Sequence, residues 1–391
     1  MKLRANGEHG RKVTWLELFF DLVFVAAVSQ VAAPLHHDYS VHGLVRLVPL
    51  FALIWWAWTG HSVFSTRFDT DDGRQRGLTL LQMFAVAIMA ANAKDALDSR
   101  SSAGFAAAYA VVRFLLVAQY ARARSLPAAR DLASRYLTGH GTAALLWLAS
   151  ALVPAPLRYG VWLVAFAIDL GTPWSAVRHS VKVPPDASHL PERFGLFTLI
   201  LLGESVVALM RGIESQEQWP LEAAASAFLG ISLLFVLWWW YFDGAGAARE
   251  RSVRTHGDAV RFHLWSYAHF PLALGIVVLG VGVERSVTAA AHTQLQRPEL
   301  LIMTSAAAMV VAVLAALTAL APDHRPARPA LLAGTLGVSA ALPVLAAVCG
   351  ITSPVASVAG LFALTALLLR TWLNAPAEAA AAFHFSSAGQ L

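Results

Sequence analysis

Charge is scarce in this chain: Asp, Glu, Lys and Arg together make 14% of its 391 residues, against 57% for the apolar set. Soluble domains carry about a quarter charged residues, so a water-facing globule is excluded. Lysine occurs four times and never midway along an apolar run, which argues against a retinal Schiff base. Cysteine occurs once, at Cys349. That excludes an internal disulfide, an iron–sulfur cluster held by several cysteines and c-type haem attachment. No GxxxxGK[ST] phosphate loop is present, which argues against ATP-driven transport within the chain. No histidine pair suits bis-His haem, and the connecting segments are too short for a soluble catalytic or nucleotide-binding domain. No cofactor or metal site is expected.

What fills the sequence is apolar runs of the length, about 20 residues, that crosses a hydrocarbon core. Twelve are expected: 14–35, 44–64, 78–97, 103–121, 136–153, 158–176, 194–212, 221–243, 260–283, 299–321, 329–350 and 354–373. The fifth is short and interrupted by Gly139 and Gly141. The fold class is therefore an all-α integral membrane protein of about twelve transmembrane helices, one polytopic domain over residues 1–391. With the N-terminus inside, 21 Lys and Arg fall on the inner side, Arg67 and Arg193 among them, and 7 on the outer side. This bias places both termini in the cytoplasm. The formal net charge of +5 thus reads as a topology signal, with no nucleic-acid partner implied and the lipid bilayer as the surrounding partner. Six spans per half would give two parallel repeats, 14–176 and 191–373. LELFFDLVFVAAVSQVA from Leu16 aligns with PERFGLFTLILLGESVVAL from Pro191, and a tryptophan cluster follows in each half (LIWWAW, VLWWWY). Spans ten to twelve read as scaffold.

Against this background the intramembrane charges carry the functional signal. A charge at the centre of a bilayer costs about 2.5–3.5 kcal/mol on insertion scales. Glu17 and Asp21, one turn apart, share a face of the first span. They are either an interfacial acid beside a helix-bonding acid, or a protonatable pair lining a hydrophilic path. Arg113 is the basic residue near the middle of a span, and Asp21, Asp169 and Glu204 are its candidate partners. Asp169, before Gly171 and Pro173, could alternatively cap an interrupted helix. Glu204 follows Gly203, where close approach by a helix or an ion is possible. Glu17, Asp21, Arg113, Asp169 and Glu204 are thus the ion- or substrate-path candidates.

Secondary candidates are Asp69, Asp71 and Asp72 in RFDTDDGRQR, Asp243 after the second tryptophan cluster, and His269 ahead of Pro271. The acidic loop lacks the spacing of a calcium site, and Thr70 or Asp71 as the N-cap of the third span is the simpler reading. Packing is the simpler account of both His269 and the tryptophans.

The segment WLELFFDLVFVAAVSQ at 15–30 resembles the opening signature of the bacterial low temperature requirement protein A family. RFDTDDGRQRGLTLLQMFAVAIMA, ERFGLFTLILLGES, WWWYFD and YAHFPLALGI follow in the same order, so the resemblance spans about the first 285 residues. It implies a multi-pass protein of the bacterial plasma membrane, named for growth in the cold, and brings no reaction or substrate with it. A weaker resemblance is to the lysosomal potassium-channel family of two six-helix repeats. Here Phe20 and Asp21 adjoin, without the intervening serine of that family's Phe-Ser-Asp signature.

The leading expectation is secondary transport or ion permeation through embedded acids, with an ion or small solute as partner. Alternatives are an intramembrane enzyme acting on a lipid or isoprenoid substrate, or a non-catalytic stress or assembly factor. Enzymatic activity is the less favoured of these, and a homo-oligomer stays open. Transport expects Asp21, Arg113, Asp169 and Glu204 to converge on a midplane cavity. An enzyme expects Asp21, Asp71 and His256 to meet at one interface with lateral access for lipid, and the absence of both clusters favours the non-catalytic factor.

Overall fold

In a computed structural model of the chain, the described residues are 2–3, 13–69, 72–98, 101–216, 220–245, 250–290, 294–321, 329–350 and 352–374. Where no water reaches the backbone, a helix satisfies every peptide group within its own segment. The described residues accordingly form α1 (Trp15–His37), α2 (Val41–Arg67), α3 (Gly73–Ala91), α4 (Ser102–Ala123), α5 (Arg130–Ser150) and α6 (Leu157–Ser175). A short α7 (Val177–Ser180) leads into α8 (His189–Glu214) and α9 (Leu221–Trp239), which a π turn extends over Trp240–Gly244. The chain closes with α10 (His256–Ala289), α11 (Arg297–Ala319), α12 (Pro329–Cys349) and α13 (Pro354–Asn374). Apart from helices there is a two-residue antiparallel ladder between β1 (Lys2–Leu3) and β2 (Phe68–Asp69).

Polar residues at the ends of the apolar runs set where helices begin. Thr14 and Glu17 form a reciprocal capping box on α1, as Thr255 and Asp258 do on α10. Each pair satisfies amides that the first helical turn leaves without partners. Asp72, rather than Thr70 or Asp71, caps α3: its carboxylate accepts from the Gln75 amide at 2.8 Å. Thr70 and Asp71 lie outside the described residues.

Nine of the helices are long and apolar enough to cross a membrane: α1, α2, α4 and α8 through α13. The expected third, fifth and sixth crossings are helical but shorter or more polar. The apolar part of α3 begins only after Arg74, Gln75 and Arg76, and the helix ends at Ala91 instead of running to 97. α5 opens on Arg130, Asp131 and Arg135, and α6 has 19 residues including Arg158 and Asp169.

α10 is the most enclosed of the nine, with 78% of its apolar window inside the bundle, and α12 the least, with 11%. α10 packs on α8, α9, α11 and α13, and also reaches α1 and α2. Its approach to α8 depends on Gly280, where an added Cβ would lie 2.5 Å from the Ser205 hydroxyl. Neighbours recur in order: α1 meets α2 and α3, α3 meets α4, and α4 meets α5. In the second half α8 meets α9 and α10, α10 meets α11, and α11 meets α12. The order breaks at the last helix, since α6 packs on α5 whereas α13 packs on α9.

Candidate functional site

Two clusters of buried charge lie on opposite faces of α2 and a third, half-buried cluster lies elsewhere; Arg158 and Glu299 are buried apart from them. Trp58, His61, Ser62 and Ser65 follow the i, i+3, i+4, i+7 spacing of one helical face, and Trp56, Gly60, Val63 and Arg67 the i, i+4, i+7, i+11 spacing of another. The first set faces α1 and α8; the second lines a cavity shared with α5, α6 and α10.

On the first face Asp21 is fully buried and paired with Arg193 of α8, itself fully buried. Trp58 donates its indole N–H to Asp21 Oδ1 at 2.7 Å, and Arg193 Nη1 donates to the Ser65 hydroxyl at 2.8 Å. Glu17 closes its own helix start through Thr14 and lies 3.3 Å from His189 Nε2. The two acids on α1 are therefore each met by a base from α8, which removes the repulsion a bare pair would suffer. The His61 ring stacks on Phe20 at 3.9 Å. Among the described residues Asp21 Oδ2, Arg193 Nε, His61 Nδ1 and Ser62 Oγ have no hydrogen-bond partner. Hydrogen-bonding capacity is thus left over among buried groups of the described residues, where an unmade bond costs free energy.

The second centre lies mid-bundle. Arg113 Nε is 2.7 Å from Asp169 Oδ2, both side chains fully buried, so Asp169 is the partner and neither Asp21 nor Glu204 is. Asp169 sits inside α6 and caps no interrupted helix. The Tyr109 hydroxyl accepts from Arg113 at 2.6 Å, and His140 Nδ1 donates to Asp169 Oδ1 at 2.5 Å. His140 Nε2 and Arg113 Nη1 keep no partner among the described residues. Gly60 leaves room for that guanidinium, since a Cβ there would lie 3.0 Å from Arg113 Nη1.

A cavity of about 30 Å³ adjoins this centre. Its wall is mostly apolar, and the polar residues bordering it are Thr59 and Arg67 of α2, Tyr136 and His140 of α5, and His263 and Ser266 of α10, with Gly60 beside them. Arg67 is buried, donates to the Tyr136 hydroxyl and the Ser180 hydroxyl at 3.1 Å each, and lies over the Tyr136 ring. Expected in a loop facing the inner surface, it belongs instead to the core, as does Arg193.

The third group lies where α1, α8 and α10 end. Glu204 accepts from the Ser29 hydroxyl at 2.8 Å and is 3.7 Å from Arg211, while His36 Nδ1 meets Glu284 at 2.5 Å. Glu204 is therefore far along α8 from Arg193 and apart from Arg113. The convergence of Asp21, Arg113, Asp169 and Glu204 on one point is not what the chain does: they divide among three centres.

Of the secondary candidates, Asp72 bridges to Arg122 at 2.6 Å, Asp243 is exposed in the π turn, and Asp69 lies in the short ladder. His269 is packed, bonding the Trp265 carbonyl at 2.8 Å and the Tyr241 hydroxyl at 3.0 Å. His256 is exposed at the start of α10, whereas Asp21 is sealed; Asp71 lies outside the described residues. Among the described residues no group of three or more His, Cys, Asp or Glu could hold a metal ion. Sequence reasoning missed Arg193, Arg67 and His140. The signal for Arg193 was its i, i+4 spacing from His189 on α8, which repeats that of Glu17 and Asp21 on α1, and the signal for Arg67 was its register with the other cavity-facing positions of α2.

The model of the bacterial low temperature requirement A protein family (LtrA) matches residues 12–369. The match runs well beyond the first 285 residues, into α13. An uncharacterized protein of Rhizobium meliloti (strain 1021) is 28% identical over 297 residues, covering 73% of this chain and 72% of that protein. The chain belongs to the LtrA family.

Proposed function

We propose that this LtrA-family protein moves an ion or small solute across the bacterial plasma membrane, using the Arg113–Asp169–His140 centre and the cavity beside it. The observation that carries the reading is the set of buried groups around that cavity with unspent hydrogen bonds: Arg113 Nη1, His140 Nε2 and Arg67 Nε. A structural ion pair needs no open space, whereas a path needs groups that can exchange partners with what passes. Asp169 has two such partners already, a guanidinium and an imidazole, and can shift between them. The Asp21–Arg193 pair across α2 is the second step of the same path, joined to the first through a single helix.

In this reading the chain crosses twelve times, with both termini in the cytoplasm. Its two parallel halves, 14–176 and 191–373, form a single polytopic domain. Two features support that arrangement: the recurrent order of helix neighbours and the bias of basic residues. Taking Arg67 and Arg193 out of the inner set and Arg158, buried in α6, out of the outer set leaves the bias in the same direction. α6 is tolerated as a crossing because Arg158 and Asp169 are buried against other helices, whereas α3 and α5 carry their exposed charges in their opening turns.

The test is flux in liposomes holding the purified protein, under proton, potassium and chloride gradients in turn. Flux above empty vesicles that falls at least about tenfold in folded Asp169→Asn and in folded Asp21→Asn supports the path. No flux under any gradient overturns the ion reading and leaves an uncharged solute, and flux that both variants retain in full overturns the path.

A further inference from the structure

We infer that the cavity between α2, α5, α6 and α10 is a binding site for a small monovalent anion, of the size of chloride or formate, held by Arg67. This names the cargo class of the transport reading and rests on the same cavity.

The argument begins with charge. Arg113 is neutralised by Asp169, and Arg193 by Asp21. Arg67 is 1% exposed and no described carboxylate lies within ion-pairing distance of it. The hydroxyls of Tyr136 and Ser180 and the face of the Tyr136 ring orient its guanidinium. They supply dipoles and a quadrupole but no negative charge. A guanidinium stays protonated in any protein setting, and a buried charge is ordinarily paired. Among the described residues one positive charge is therefore left without a carboxylate on the cavity wall, which favours a monoanion as the occupant.

Donors and size agree. Arg67 lines the space, and its Nε has no hydrogen bond of good geometry among the described residues, although the Tyr120 hydroxyl also acts on this guanidinium. The Tyr136 hydroxyl accepts from Arg67, so its own proton is free to donate. A volume of about 30 Å³ holds roughly two waters, enough for a halide or a formate and too little for a sugar acid. Trp56, Phe262 and Tyr267 complete the wall with aromatic side chains. Ser266 spends its hydroxyl on the Phe262 carbonyl at 2.9 Å. It therefore offers a place to fill the space without touching Arg67.

The experiment follows thermal unfolding of the whole purified protein in detergent, by tryptophan fluorescence. It is titrated with sodium chloride or sodium formate against sodium gluconate at matched ionic strength. Expected is a saturable rise in Tm with chloride and formate, absent with gluconate, since a ligand that binds the folded state stabilises it by mass action. Arg67→Met abolishes the rise, and Ser266→Leu weakens the apparent affinity at least about tenfold. Equal response to gluconate, or a saturable chloride response that persists unchanged in Ser266→Leu, overturns the site. Ser266→Leu keeps the test decisive even where Arg67→Met does not fold. The liposome measurement separates the two readings. Anion binding without flux supports the site and overturns transport; proton or potassium flux without any anion-specific Tm shift overturns the site and leaves transport standing.

Discussion

At the scale of single residues, the chain keeps buried charge by pairing it across helices that are distant in sequence. Removing one member of such a pair strands the other in low dielectric, at a cost of about 3–5 kcal/mol. Arg113→Leu is therefore expected to lower folded yield and Tm sharply, and Arg113→Leu with Asp169→Leu to recover most of the loss. Size-exclusion yield and thermal unfolding of the single and double variants check this; equal values for the two would remove the ion-pair argument. The need for a partner to Arg113 was legible in the sequence, because an arginine that deep requires a carboxylate. The choice of Asp169 was not, since three acids satisfied the same rule. Arg67 and Arg193 were illegible for another reason. Charges near the ends of apolar runs read as loop residues, and nothing in a linear sequence shows that a neighbouring helix covers the end of the run.

At the scale of elements, α2 and the contact between α8 and α10 matter most. α2 reads as a tryptophan-rich span, yet its serines, His61 and Arg67 recur at helical spacing on two faces, so both polar centres depend on its rotation. The α8–α10 contact depends on Gly280. Gly280→Ala places a methyl group against Ser205, whose hydroxyl an added Cβ meets at 2.5 Å and whose Cα it meets at 3.1 Å. Overpacking of this kind costs about 1–3 kcal/mol, and Ser205→Ala in the same chain should return part of it, read as Tm.

The loop before α8 adds a pH dependence. The Asp186 carboxylate accepts from the amides of Ser188 and His189 at 3.0 and 2.8 Å, and its own amide bonds Thr66 beside Arg67. Partial burial pushes its carboxyl up, but those amides and the Ser188 hydroxyl outweigh it and hold the group below the usual carboxylate range. A depressed folded value means the stabilisation is complete above the unfolded carboxyl pKa, about 3.9, and is lost as pH falls through the lower folded value. Asp186→Asn should accordingly be less stable than the native chain at pH 7. Its deficit should shrink as the pH is taken below about 4, followed as Tm across the series.

At the scale of the whole molecule, the membrane class and the positions of twelve long helices were legible, because hydropathy and helix length are local properties. Which of those helices cross depends on what covers their polar residues, and that is a property of the assembled bundle. The proposed topology has a direct check. In a Cys349→Ser background, His42→Cys, exposed in the first turn of α2, should react with a membrane-impermeant maleimide in spheroplasts. Ser125→Cys, in the segment joining α4 to α5, should react only after the cells are opened. The reverse pattern would invert the orientation.

The pairing of Asp21 with Arg193 also has a consequence for synthesis. The two residues are 172 positions apart, and chains lengthen at about 5–20 residues per second, so Asp21 leaves the ribosome roughly ten to thirty seconds before its counter-ion exists. For that interval the first helix must wait in the insertion machinery, at the membrane surface or with its carboxyl protonated. A nascent chain stalled before α8 therefore carries an unmatched acid that marks it as incomplete, and one extended through Arg193 does not.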